Sequence, residues 1–116
     1  GGGQRHAQIT ALTLAEMLAA IRHARDSGRD SFTLVSHSFE LINRRSLSVN
    51  PIVRRRFTGL VKALARMRGV ETGTYRDTPP RIRLTGSNQA LLPASAVRTS
   101  ARLAEQLVSN ALYGAL

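Results

Sequence analysis

The chain contains no cysteine. Disulfides are therefore excluded, as are metal sites built on thiolates, and nothing follows about the redox compartment. It has no tryptophan, and its aromatic residues are Phe32, Phe39, Phe57, Tyr75 and Tyr113. Single-strand nucleic-acid binders interleave aromatics with cations so that bases can stack. Five scattered rings do not provide that pattern. No apolar run approaches the roughly 18 residues of a membrane span, and no signal peptide is visible. The chain opens Gly1-Gly2-Gly3 without methionine, so it is expected to be a fragment whose natural N-terminus lies upstream. Acidic residues are also scarce: 7 of them face 17 cationic ones, for a net charge of +10.

With 116 residues, 42% of them hydrophobic, the chain is long enough for one small domain with a core. Its basic balance attracts anions, whether nucleic acid, acidic polysaccharide or anionic lipid. Lys62 is the sole lysine. Arginine suits planar recognition of phosphate or carboxylate, although coding bias toward arginine gives the same composition. Residues 44–68 hold eight cations and no acid. Within them Arg54, Arg55 and Arg56 fall in the first turns of an expected helix, where the macrodipole disfavours cations. The triplet is therefore a candidate anion-binding site, or it meets an acidic partner outside this fragment. The plainer alternative is a solvated helix face.

Periodicity supplies the elements. Residues 7–12 alternate small or apolar with polar side chains, as a strand entering a helix would. Thr13 and Glu16 form a T-x-x-E capping box. Leu14, Met17, Leu18 and Ile21 then follow the i, i+3, i+4, i+7 template, and Gly28 supplies the stop. His23 falls on the polar face of this helix, expected over residues 13–27. Residues 32–36 read as a buried strand, and residues 38–48 as a polar loop with some helical character. Asn50-Pro51 is a strong helix start, and Val53, Phe57, Leu60, Leu64 and Met67 give an apolar stripe ending near Gly69. Residues 70–75 read as a short last strand, residues 81–92 as irregular and residues 95–112 as a final helix. Val97, Ala101, Ala104, Val108 and Ala111 line one face of that helix, with Leu107 and Leu112 beside it. Strand, helix and strand in this order argue for an α/β fold with a parallel sheet.

His37 ends the strand over residues 32–36, at the carboxyl end where α/β folds gather ligands and chemistry. A structural histidine and a catalytic one are both open on physical grounds. Ser36, Ser38 and Glu40 flank it, but strand alternation sends neighbours to opposite faces, so no local triad is expected. His6, His23 and His37 are far apart and no H-x-x-x-H pair exists, so this chain is not expected to hold a metal alone. The segment between the first two helices contains the strand, which does not fit a helix-turn-helix. Nucleic acid is therefore a disfavoured partner.

The sequences Ala7-Gln8-Ile9-Thr10-Ala11-Leu12, Ala15-Glu16-Met17 and Val35-Ser36-His37-Ser38-Phe39-Glu40-Leu41 together resemble the C-terminal part of a polysaccharide deacetylase (NodB-like, carbohydrate esterase family four). Asn50-Pro51, Arg55-Arg56-Phe57, Leu60 and the closing Arg102-Leu103-Ala104-Glu105-Gln106 with Asn110 and Tyr113 continue the likeness. The resemblance implies the C-terminal part of a distorted (β/α) barrel, βαβα plus a C-terminal helix. Residues 1–92 would belong to the barrel and residues 93–116 to a helical tail. It implies metal-dependent hydrolysis of N- or O-acetyl groups on a sugar polymer, in the bacterial cytoplasm or cell envelope. Zinc or another divalent metal would be held by an aspartate and two histidines of a missing N-terminal half, none of which maps here. The family's catalytic acid maps onto His37. The expected partners are the polysaccharide and that missing half, with no cofactor on this chain alone. The alternative is a small basic binding module for anionic polymers, without catalysis.

Overall fold

Thr13 starts the first helix as its sequence requires. Its hydroxyl accepts from the Glu16 amide at 3.2 Å, and the Glu16 carboxylate accepts from the Thr13 amide at 2.9 Å. Two of the free amides of a helix start are thereby satisfied. Helix α1 runs Leu14–Asp26. It ends as glycine allows: Gly28 has φ +66°, its amide donates to the Arg25 carbonyl, and the Arg29 amide reaches back to Ala24, both at 3.0 Å. Helix α2 spans Pro51–Leu64, with the Asn50 side chain accepting from the Ile52 and Val53 amides. Its last turn tightens into i→i+3 bonds from Arg66 and Met67 before Gly69 turns the chain. Helix α3 spans Ala96–Tyr113. The computed structural model describes residues 7–43, 46–77, 79 and 95–113. The expectation of irregular chain over residues 81–92, the boundary expected between residues 92 and 93, and His6 all lie outside these.

The core lies between α1 and α2. Ile9, Met17, Ile21, Val53 and Leu60 are buried together, with Leu12, Leu34, Leu41 and Met67 among the side chains packed partly against them. Each such side chain contributes roughly 1.5–3 kcal/mol when fully removed from water. The helices approach closely at Gly59, where an added Cβ would lie 2.5 Å from Leu14 Cδ2.

The expected α/β barrel portion is not what forms. The described residues are mostly helical and contain no strand and no sheet. The extended segments at residues 7–8 and 31–37 meet in one parallel bridge, Gln8 to Val35, with the Val35 amide donating to Ala7 at 2.8 Å. Capping chemistry stops the ladder there. The Ala11 and Leu12 amides fold back onto the Gln8 carbonyl, closing a turn that leads directly into the Thr13 cap. Beyond Val35, the His37 amide turns to the Glu40 side chain instead of a neighbouring strand. A 3-10 helix, Ser38–Leu41, follows, and then an isolated antiparallel bridge between Ile42 and Val49. Leu47 closes this loop at φ 53°, in the left-handed region that is uncommon for a bulky residue. Residues 70–75, read as a last strand, form no ladder with any of the described residues.

Buried charge fastens the remaining pieces. Arg56, not Phe57, points inward from α2; Phe57 is half exposed. Arg56 Nη1 donates to the Ile9 and Thr10 carbonyls at 3.2 and 3.3 Å, and Nη2 donates to Glu105 Oε2 of α3 at 2.7 Å. Arg102 Nε lies 3.5 Å from Glu16 Oε1, an ion pair without hydrogen-bond alignment. Removing Arg56 strands two carbonyls and one carboxylate, so Arg56→Ala is expected to cost on the order of 2 kcal/mol in urea unfolding. Arg54→Ala and Arg55→Ala, at exposed positions, should each stay within about 0.5 kcal/mol. Equal effects at all three positions would contradict this account of the triplet.

Candidate functional site

His37 sits where the extended segment ends and the 3-10 helix begins, with φ −115° and ψ 143°. The turn brings Glu40 back beneath it. The Glu40 amide donates to the His37 carbonyl at 3.0 Å, and Glu40 Oε2 accepts from the His37 amide at 3.1 Å. Glu40 Oε1 lies 3.3 Å from His37 Nδ1. The two side chains differ sharply in exposure, 49% for His37 and 3% for Glu40. An ionised carboxylate can only accept, so the facing Nδ1 carries the proton and Nε2 is left for chemistry. The ring also stacks on Phe39, with centroids 5.1 Å apart and planes inclined by 18°.

The carboxylate is held from behind by the N-terminal segment. Gln8 Nε2 donates to Glu40 Oε1, and Thr10 Oγ1 donates to the same oxygen at 3.2 Å. Burial alone would push the Glu40 carboxyl up. The bonds it accepts from the His37 amide, Gln8, the His37 ring and Thr10 outweigh burial and hold it below its ordinary value. A buried, ionised, four-times-bonded carboxylate beneath a half-exposed imidazole fixes the tautomer and orientation of the ring. Such a pair can take up or deliver a proton at Nε2.

The turn, and not strand alternation, decides which neighbours meet. Ser36 and Ser38 are exposed, while Glu40, three residues on, is His37's partner. Only half of a capping box forms here: Glu40 accepts from the His37 amide, but the His37 side chain makes no cap bond. The three-residue spacing shared with Thr13 and Glu16 is the signal that points to this pair. Gln8 and Thr10 carry no comparable signal, because their role depends on where the N-terminal segment packs. His23 lies in the last turn of α1, apart from His37 in sequence and element. Arg54 and Arg55 are exposed on α2, whereas Arg56 is buried and paired with Glu105. The acidic partner sought for the triplet thus lies in this chain and serves one of its three arginines. Among the described residues, no three His, Cys, Asp or Glu side chains converge on a point that could hold a metal ion.

Comparison with protein-family models, with curated proteins and with solved structures finds no match to this chain.

A carboxyl whose folded value is lowered stabilises the fold above its unfolded value, and that contribution disappears as pH falls through the folded value. Melting temperature should therefore fall as pH drops below the ordinary 4.5 of glutamate. In Glu40→Gln this acid limb should be shallower, with lower stability at neutral pH. An unchanged limb would show that Glu40 is not the titrating group.

Proposed function

We propose that His37 is the general acid–base residue of a hydrolase that removes acetyl groups from a sugar polymer. The observation that carries the chemistry is the His37 Nδ1 to Glu40 Oε1 contact at 3.3 Å beneath a half-exposed ring. The substrate class rests on the likeness of the Val35–Leu41 sequence and its surroundings to polysaccharide deacetylases. Hydrolysis adds water across the acyl bond: the water oxygen bonds to the acetyl carbon, and the bond from that carbon to the sugar nitrogen or oxygen breaks. The acetic acid formed ionises, its proton restoring the His37 imidazolium. An amine leaves poorly unless protonated. His37 as imidazolium delivers that proton from Nε2 and keeps Nδ1–H on Glu40. The carboxylate stabilises the cation before transfer and orients the neutral ring after it. Gln8 and Thr10 keep Glu40 in place.

The zinc that the resemblance implies finds no donor set among the described residues, so no step here runs through a metal. Those residues also include no helix long and apolar enough to cross a membrane.

Positioned proton transfer is typically worth 10²–10⁴-fold. In the full natural protein that contains this chain, His37→Gln is expected to lower kcat for acetate release from an acetylated oligosaccharide by at least about 10²-fold, with the fold intact. Glu40→Gln should lower kcat by a smaller factor and shift the pH profile. Near-full activity in His37→Gln would make His37 structural. Failure of the unmodified protein to release acetate from either N- or O-acetylated polymers would remove the deacetylase reading.

A second reading is a binding surface for anionic polymers on Arg54 and Arg55. It is favoured by their exposure side by side in α2, whose first turn carries no acidic residue. Affinity for heparin or DNA should then fall steeply with salt through counterion release and weaken in the Arg54→Ala, Arg55→Ala double variant. Binding unchanged by salt, or absent, would return both residues to a solvated face.

A further inference from the structure

Helix α3 is mounted with its polarity reversed. The residues it turns toward the body are Thr99, Arg102, Glu105, Gln106 and Ser109, all buried or half-buried. The stripe Val97, Ala101, Ala104, Val108 and Ala111 is exposed throughout. So are the larger side chains beside it, with Val97 at 79%, Leu107 at 70% and Leu112 at 67% exposure, and Leu103 and Val108 near half. An amphipathic helix ordinarily buries its apolar face against its own domain. Here the orientation is set by charge: Arg102 pairs with Glu16, and Glu105 pairs with the buried Arg56. Turning the apolar face inward would break both pairs and leave Arg56 without its carboxylate.

We propose that this outward face of α3 is a homodimer interface, on which the α3 of a second copy of the chain packs antiparallel. Four observations select that occupant. The outward stripe advances by steps of 4, 3, 4 and 3 residues, the seam spacing by which one helix receives another. Large side chains flank the seam, so the contact does not depend on the alanines alone. Among the described residues the outward face carries no ionisable side chain: Arg98, Arg102 and Glu105 lie on the other side of the helix, the last two engaged with the body. On a chain of net charge +10, this is the surface on which a like-charged copy meets least repulsion. Lastly, α3 has no acidic residue in its first turn and no basic residue in its last, so no charged side chain of its own complements either end of the macrodipole. In an antiparallel pair the positive end of each α3 macrodipole lies beside the negative end of the other. A face one helix wide is at the small end of specific interfaces, so association is expected in the micromolar range. This inference is independent of the hydrolase reading.

The test uses the whole chain in sedimentation velocity and light scattering, from micromolar to submillimolar concentration. The mass should rise from monomer to dimer. Leu107→Arg should leave a monomer at every concentration while circular dichroism shows the helices intact, and Arg54→Ala should dimerise normally. Because the chain has no cysteine, single cysteines report the orientation. A mixture of Val97→Cys and Ala111→Cys variants should oxidise mainly to the mixed disulfide. A monomeric mass throughout, a dimer that Leu107→Arg does not weaken, or Val97→Cys pairing chiefly with itself would each overturn the proposal. Binding of α3 to anionic vesicles by a chain that stays monomeric in solution would do so as well.

Discussion

Arg56 is the side chain on which the assembly depends. A guanidinium this deeply buried is costly unless its donors are answered. Three oxygens answer its Nη groups, the Ile9 and Thr10 carbonyls and the Glu105 carboxylate, while Nε finds no partner among the described residues. One residue of α2 thereby fixes the N-terminal segment on one side and α3 on the other. The same short N-terminal segment carries Gln8 and Thr10, whose side chains hold Glu40. The geometry of the candidate site is thus coupled to a buried charge in another element, through the backbone of Ile9 and Thr10.

That coupling shows why a chain with a modest apolar core still forms a defined site. The core joins α1, α2 and the segments beside them. Charge handles what the core does not reach. The N-terminal segment is clamped by Arg56, α3 is fastened by two Arg–Glu pairs, and the ring of His37 is oriented by a carboxylate that is itself bonded on several sides. Buried ion pairs of this kind contribute less to net stability than to choosing one arrangement over others. Here they choose which face of α3 looks outward and which nitrogen of His37 looks outward.

The sequence was most legible where a structural signal is local. The Thr13–Glu16 box, Gly28, and Asn50 with Pro51 place the ends of α1 and the start of α2, because each acts within a few residues. The strands were not legible, since a strand exists only through its neighbour and the neighbours here diverge after a single bridge between Gln8 and Val35. The apolar stripe of α2 read Val53, Phe57, Leu60, while the buried set is Val53, Arg56, Leu60. A buried arginine answered from three distant positions looks on paper like one more surface cation. The seam of α3 was visible as a pattern, but its direction was not, because Glu16 and Arg56 decide it. His37 was found by its place after the extended run. Strand alternation would send its partner Glu40 to the opposite face, and the 3-10 turn overrides that rule.

The buried Glu40 carboxylate sets the proton position of the His37 ring, and long-range proton–nitrogen correlation NMR of that ring tests this directly. At a pH where the imidazole is neutral, the spectrum should show Nδ1 protonated and Nε2 bare, and Glu40→Gln should abolish that preference. A ring protonated mainly at Nε2, or a tautomer ratio indifferent to Glu40→Gln, would contradict it.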